Sequence, residues 1–360
     1  LNQHLDRVIS IPFYFSILSS VICTKSCFFR NKDLKRVSLQ SQFENKKIMN
    51  EKLKGGIIVF LGAASFGLLS TIVKNAYGEG YDVGHITSSQ SFFGMTILWI
   101  LYFIQSRTIS VKKNDPDSEQ SEENSKPKTA YWKVMFAGTF TGLVGVFYYK
   151  CVTLIPASIA IILLMQYLWI SIILDYIIYR KRPVKVQLIG AAFVLLGTVF
   201  AGGLFKESLD VDPVGIVYGM LAALCYAIFL LASGRVGTDL PVFKKSALMI
   251  TGSCILTFII FRPTFFWDGM LIDGLYKWGL ILALLGTVIP PAFFSYGVPR
   301  TGIALGTILS AAELPVAVCS SFFVLHEDVD ALQWLGVAII FGTIMMTNIR
   351  FGRKRIKVES

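Results

Sequence analysis

From Gly55 onward, apolar stretches about as long as a bilayer-crossing helix follow one another with little between them. They are read as ten spans, at 55–77, 83–105, 131–152, 156–180, 184–203, 213–234, 243–262, 277–298, 302–325 and 331–349. In lipid every backbone N–H and C=O has to be paired within the protein, so a chain of this kind can only be a helix bundle or a closed barrel. The stretches are continuous rather than alternating, which selects helices. Pro156, Pro183, Pro213, Pro241 and Gly302 break the pattern at the ends of spans. Composition agrees: 16% of residues are charged, where soluble domains carry about 25%. The fold class expected is therefore an all-α polytopic membrane protein.

Two segments interrupt this regularity. Residues 106–129 contain Asp115-Pro116-Asp117-Ser118-Glu119 and Glu122-Glu123-Asn124, and read as a disordered, solvated linker. Residues 1–48 hold no Met, and Met49 opens a sequence like the start of a bacterial inner-membrane protein. Val8–Cys23 is apolar but short for a span. The expectation is an upstream extension from a mis-called start, the alternative being an extra or interfacial helix.

The formal net charge of +11 suggests nucleic acid only until its placement is examined. Lys and Arg gather at alternate ends of the spans. One side holds Lys112, Lys113, Lys126 and Lys128, then Arg180-Lys181-Arg182 with Lys185, then Arg235, Lys244 and Lys245, then Arg300 and the basic tail 351–360. The other side holds Glu79 and Asp82, then Lys206, Glu207, Asp210 and Asp212, then Asp268 and Asp273, then Glu327, Asp328 and Asp330. Basic loops remain cytoplasmic, so the chain from Met49 is expected to have both ends inside. The three histidines are scattered, and four of the six cysteines lie within apolar stretches, so no metal site or cofactor is expected. The sequence has no Gly-rich phosphate loop ending in Lys-Ser/Thr, which argues against an ATP-driven pump.

The charge pattern coincides with an internal repeat. A constant shift lays Tyr149 on Tyr296, Ala157 on Ala304, Gln166 on Glu313 and Arg180 on Glu327. After a one-residue gap Gln187 falls on Gln333, Gly190 on Gly336, and Gly197-Thr198 on Gly342-Thr343. The unit is thus five spans used twice, at 49–203 and 204–350. An odd number of spans per unit forces the second copy to insert upside down, the mark of an inverted-repeat transporter.

Ile308-Leu309-Ser310-Ala311-Ala312-Glu313-Leu314-Pro315-Val316, then Leu325-His326-Glu327, then Leu335-Gly336-Val337-Ala338-Ile339-Ile340-Phe341-Gly342-Thr343, resembles the ending of an EamA-type domain of the drug/metabolite transporter superfamily. The resemblance covers about 49–350. It implies a ten-helix carrier of small organic solutes with a central cavity lined mainly by helices 3, 4, 8 and 9. The first half departs from the pattern: Gln166-Tyr167-Leu168 stands where the second half has its acid and proline, and Arg180-Lys181-Arg182 where it has an acidic loop end.

Glu313, in the middle of span 9, is the foremost candidate, because an intramembrane acid is expensive unless paired or facing water. It is read as a substrate contact or a proton-titrating carboxylate, against a structural role bonded to a neighbouring helix. Pro315 should kink the helix there and free backbone groups to line a cavity. Gln166 is its repeat mate, suited to zwitterions or equally to an interhelical hydrogen bond. Trp169 shares a face with Gln166, as a cavity residue or lipid-facing packing. Tyr149, with Tyr148, and Lys150 end span 3; Tyr296 and Ser295 hold the equivalent place in span 8, with membrane-interface anchoring as the alternative. Lys150 and Lys74 either snorkel or bind an anion. Asp175 is expected to form an inner-gate ion pair with Arg180 or another cation. Gln90 on span 2 and Tyr226 on span 6 are further candidates for a polar lining.

Taken together, the expectation is a secondary carrier, not an enzyme, in a bacterial inner membrane. It would move an amino acid-like, zwitterionic or neutral solute, or a drug, by alternating access, as export or exchange, with protons as a candidate coupling ion. The partners are the solute and membrane lipid, with a homodimer as an open expectation and no nucleic acid. The alternatives are a sugar-phosphate or nucleotide-sugar exchanger and, from another class, a lipid-modifying membrane enzyme.

Overall fold

The computed structural model describes residues 50–69, 71–73, 75–113, 129–155, 157–180, 183, 185–202, 212–324, 326 and 328–353. The extension 1–48, Lys74, Pro156, Lys181, Arg182, Lys206, Glu207, Asp210 and Glu327 lie outside them, as do the linker between Lys113 and Thr129 and the tail beyond Arg353. The described part from Lys52 on forms one unit. It is all helix, with no strand among the described residues.

The helices run α1 (Asn50–Gly78), α2 (Val83–Lys113), α3 (Tyr131–Leu154), α4 in two segments (Ala157–Leu164 and Tyr167–Tyr179) and α5 (Lys185–Ala201). They continue as α6 (Pro213–Arg235), α7 (Val242–Phe261), α8 (Leu271–Thr301), α9 in two segments (Ile303–Ser310 and Glu313–Val324) and α10 (Ala331–Arg353). Seven of them, α1, α3, α4, α6, α7, α8 and α9, are long and apolar enough to cross a membrane. The apolar parts of α5 and α10 are shorter, and the first turns of α2 carry His85, Thr87, Ser88, Ser89, Gln90 and Ser91. Several boundaries differ from the sequence reading: α1 begins at Asn50 and α8 at Leu271. The first residues of the expected linker continue α2 to Lys113, and α10 runs on to Arg353.

Lipid tails are as apolar as Leu, so helix contacts in a membrane depend on close backbone approach and hydrogen bonds across helices. Both occur here. α3 and α7 cross with reciprocal glycines: a Cβ on Gly138 would overlap the Met249 carbonyl, and one on Gly252 the Met135 carbonyl. α2 is tied to α7 by Trp99 Nε1 donating to Thr251 Oγ1 at 3.0 Å. α1 meets α8 through Ser65 Oγ donating to the Leu285 carbonyl at 2.7 Å, and meets α9 through Thr71 and Ser320, whose hydroxyls lie 2.6 Å apart. α5 packs on α10, where Gly197 faces Ile340 and Gly336.

Three helices are irregular near their middles, and proline explains two of them. Pro315 has no N–H to offer the Ala311 carbonyl, which accepts instead from Leu314 N at 3.4 Å in a tightened turn between the two α9 segments. Pro290 and Pro291 likewise leave the Gly286 and Thr287 carbonyls without α-helical partners, and the preceding turns at Ala283–Val288 widen to a π-helix. The break in α4 at Met165 and Gln166 contains no proline.

Candidate substrate cavity

A cavity of about 680 Å³ lies within the bundle, nearer the end at which α1 gives way to α2 and α3 to α4. It reaches from Tyr77 and Ile155 near that end to Phe229 and Glu313 at mid-helix depth. The α3 side of its wall is a stripe at helical spacing: Thr141, Gly145, Tyr148, Tyr149 and Val152. α1 contributes Phe66, Leu69, Val73 and Tyr77 at the same repeat, and α2 adds Thr87, Gln90 and Ser91. The widened turn of α8 presents Gly286 and Thr287.

The deep end is aromatic with one acid. Tyr226 of α6 lies edge-on to Tyr167, with ring centroids 4.5 Å apart, edge-on to Phe66 at 6.1 Å, and stacked on Phe229 at 6.1 Å. Phe294 closes against Phe66 and Phe229, each 6.1 Å away. Between these rings stands Glu313, 6% exposed, at the first position after the break in α9. Tyr226 Oη donates to Glu313 Oε2 at 3.2 Å, while Oε1 is buried with no hydrogen-bond partner among the described residues. A buried carboxylate oxygen without a partner is uncommon, and the cavity lies beside it. α1 makes room for it: Gly67 lies so close that a Cβ there would overlap the Glu313 carbonyl.

Of the candidates named from sequence, Glu313, Tyr226, Tyr149, Tyr148 and Gln90 share this cavity. The others stand elsewhere. Gln166 begins the second segment of α4, but its Nε2 donates to the Ile162 carbonyl at 3.0 Å and its Oε1 accepts from Trp169 Nε1 at 2.8 Å. Trp169 is 39% exposed, so this pair closes on itself away from the lining. Lys150 is exposed one residue beyond Tyr149, because the next position on a helix turns by about 100°. Ser295 meets Ser246 of α7 at 3.3 Å, and Tyr296 lies under the Arg300 guanidinium at 3.7 Å. Asp175 pairs with Arg235 of α6 at 3.4 Å rather than with Arg180, which turns away at the C-terminus of α4 with φ 52°. The same guanidinium lies 4.1 Å from the Tyr179 ring. Lys245, counted above only for its charge, is 1% exposed and donates to the Ser233 carbonyl at the end of α6 at 2.7 Å.

Sequence reasoning passed over Tyr77, Thr87, Thr141, Phe229, Ser253 and Thr287, all in the lining. The stripes on α1 and α3 could have found Tyr77 and Thr141. The others needed the packing.

A family model described as the EamA-like transporter family matches residues 53–203 and 213–349. The chain belongs to that family. It is thus a multi-pass membrane transporter and not an enzyme. Among its relatives, the uncharacterized transporter YcbK of Bacillus subtilis (strain 168) is 22% identical over 312 residues, 84% of this chain and 95% of the relative. The threonine/homoserine exporter RhtA of Escherichia coli (strain K12) is 24% identical over 233 residues, 63% of this chain and 74% of the relative. A solved crystal structure matches with a TM-score of 0.65 and 17% identity, over 86% of this chain and all of the other, a likeness of fold alone.

Proposed function

We propose that this EamA-like transporter is a secondary carrier of small amino acid-like zwitterions, working by alternating access as an exporter or exchanger. The observation that carries the reading is a cavity that runs from one end of the bundle to mid-helix depth and stops at a half-partnered carboxylate. Glu313 is the substrate contact, and the candidate site for proton coupling, because a donor arriving there completes its hydrogen bonding. The likeness to a threonine/homoserine exporter supports the substrate class. A sugar-phosphate exchanger is less well supported, since the described lining contains an acid and no base.

Ten helices in two inverted halves, the units 49–203 and 204–350, are part of the same proposal. Contacts in one half have counterparts in the other. α3 packs on α6 as α8 packs on α1, with Gly55 at Arg300 and Gly62 at Phe293. The Gly138 crossing of α3 with α7 is matched by Gly94 of α2 against Thr287 of α8. The breaks in α4 and α9 fall at Gln166 and Glu313, residues that the repeat superposes. In such a carrier the two halves exchange conformations around a fixed site. The Asp175–Arg235–Tyr179 contact, at the opposite end of α4 from the cavity, then acts as an inner gate. The reading includes a bacterial inner membrane with both ends cytoplasmic, which the gathering of Lys and Arg at alternate span ends supports.

Purified protein in liposomes tests the reading by counterflow. Vesicles loaded with threonine should accumulate labelled threonine, and Glu313→Gln should abolish the accumulation. Failure of threonine, homoserine and other small amino acids to exchange, with a sugar phosphate exchanging instead, would overturn it.

A further inference from the structure

Between Phe261 and Tyr276 the chain passes through a 3-10 turn at Thr264–Phe266 and a π-helical turn at Leu271–Leu275. This short segment carries the two most exposed large apolar side chains among the described residues, Ile272 at 84% and Trp267 at 78%. The third, Ile259 at 73%, stands on the last turns of α7 just before it. We infer that residues 263–275 are a membrane-interface anchor, with Phe266, Trp267 and Ile272 seated where the headgroups of a lipid leaflet meet its acyl chains. The inference needs only the membrane location and not the identity of the solute.

The packing sets the depth of the segment. α2 is polar up to Ser91, and its outward apolar stripe begins at Phe92 and continues through the exposed Ile100 and Phe103 at helical spacing. On α7 the exposed stripe is Ile255 and Ile259, one turn apart. The two helices meet where Phe92 stacks on Phe258, with centroids 6.4 Å apart and planes at 22°. Phe266 folds back onto this pair, edge-on to Phe92 at 5.1 Å and to Phe258 at 6.3 Å. Trp267 stands edge-on to Phe266 at 6.0 Å, while Phe265 turns inward and is buried. The tip is therefore continuous with the outward faces of two helices, at the level where the apolar surface of α2 starts. A surface in that place is covered by lipid, and Trp is the side chain that interfaces favour.

The backbone is prepared for a position beside hydrocarbon, where an unpaired N–H is costly. Trp267 N and Asp268 N donate to the Thr264 carbonyl at 2.8 and 3.1 Å, Ile272 N and Asp273 N to the Gly269 carbonyl at 2.9 and 3.3 Å, and Leu275 N to the Met270 carbonyl at 3.2 Å. The exposed side chains around the tip, Arg262, Asp268, Asp273 and Lys277, carry both signs of charge, which suits a zwitterionic headgroup layer. A second copy of the chain is the poorer occupant. Three side chains at one loop offer less than the ~800 Å² per partner of a stable protein interface. The anchor also bears on the cavity mouth. Trp278 Nε1 donates to Glu79 at 2.7 Å, and Gly274, with φ 127°, lies against the Tyr81 hydroxyl, so the start of α8 is held beside the turn between α1 and α2.

The test is fluorine NMR of the full-length protein, labelled with fluorotryptophan and reconstituted into phosphatidylcholine nanodiscs. The chain has six tryptophans, and the resonance lost in Trp267→Phe, a change at an exposed position, is that of Trp267. Three paramagnetic probes then report its depth: phosphatidylcholine with a doxyl radical at the top of the acyl chain, the same lipid with the radical at the chain end, and a gadolinium chelate in the water. The first should broaden the Trp267 resonance beyond detection, and the other two should leave it visible. Loss of the resonance to the chelate, with none to the lipid radicals, puts the segment in water and overturns the inference. Stronger broadening by the chain-end radical than by the upper one puts it in the bilayer core and overturns it too. A resonance untouched by all three probes means that protein covers the tip, a second copy of the chain being the candidate, and the inference falls equally.

Discussion

Replacing Gly67 by Ala probes the contact that seats Glu313. The new Cβ would overlap the Glu313 carbonyl, and would stand 2.9 Å from Val316 Cβ and 3.1 Å from Ala317 N. Two of the three obstacles are backbone atoms, so no rotamer change relieves them, and α1 and α9 have to part by on the order of 1 Å. Overpacking of this kind costs about 1–3 kcal/mol. Alanine returns about 0.5–1 kcal/mol of helix preference over glycine. Because the overlap is with main chain, the cost falls at the upper end, leaving a net loss of about 2 kcal/mol. For a chain of this size that lowers the melting temperature by about 3 °C. Gly342→Ala is the internal control, since nothing lies within 4 Å of a Cβ there and only the helix preference remains. Thermal unfolding in detergent should thus show Gly67→Ala below the unmodified protein and Gly342→Ala level with it or above. Counterflow should fall in Gly67→Ala alone, because its hydrogen-bonded neighbours Thr71 and Ser320, and Glu313 itself, move with the helices. A Gly67→Ala protein that melts and transports like the unmodified chain would show that α1 and α9 do not approach each other as described.

Other perturbations separate structural from functional contacts. Tyr226→Phe removes the hydrogen-bond partner of Glu313 Oε2, and should raise the KM for the transported solute several-fold while stability drops by about 1–3 kcal/mol; unchanged kinetics with a normal melting curve would argue against the contact. Trp99→Phe breaks the bond to Thr251 and should cost about 0.5–1.5 kcal/mol in thermal unfolding, with little change in transport, because both residues lie outside the cavity lining. Arg235→Ala should cost no more than about 1 kcal/mol, as the pair with Asp175 is partly exposed, yet should favour the form open at the Asp175 end; labelling of a cysteine placed at Ile303, packed against Gly234, should become faster, and equal labelling rates would remove the gate role. Lys245→Ala deletes a buried stem and a bond to the end of α6, and is expected to lose about 2–4 kcal/mol of stability; a neutral result would mean the ammonium group is solvated rather than bonded.

Much of this protein could be read before its structure was known, for reasons that lie in the solvent it occupies. A bilayer admits few backbone arrangements, so length and hydropathy alone led to helices. The proposed repeat rests on matching Gly and polar positions, and Glu313 stood out because an ionisable group in hydrocarbon demands a reason. The boundaries missed at Lys113 and Arg353 are polar extensions of apolar helices, where hydropathy ends before the hydrogen-bonded spiral does.

What the linear order could not fix is which way each side chain turns and what it meets. Gln166 and Glu313 are superposed by the repeat, yet Gln166 satisfies itself on Ile162 and Trp169 while Glu313 faces the cavity, because only the latter is flanked by Gly67, Tyr226 and Phe66 from helices distant in the chain. Asp175 found Arg235, on a different helix, in preference to a nearby Arg180 whose backbone points it elsewhere. The sequence by itself determined the helices, their periodicity and the presence of a costly acid, because these follow from local chemistry and the bilayer. The cavity, its lining and the Asp175–Arg235 pair belong to the tertiary structure, because each is made by residues that only packing brings together.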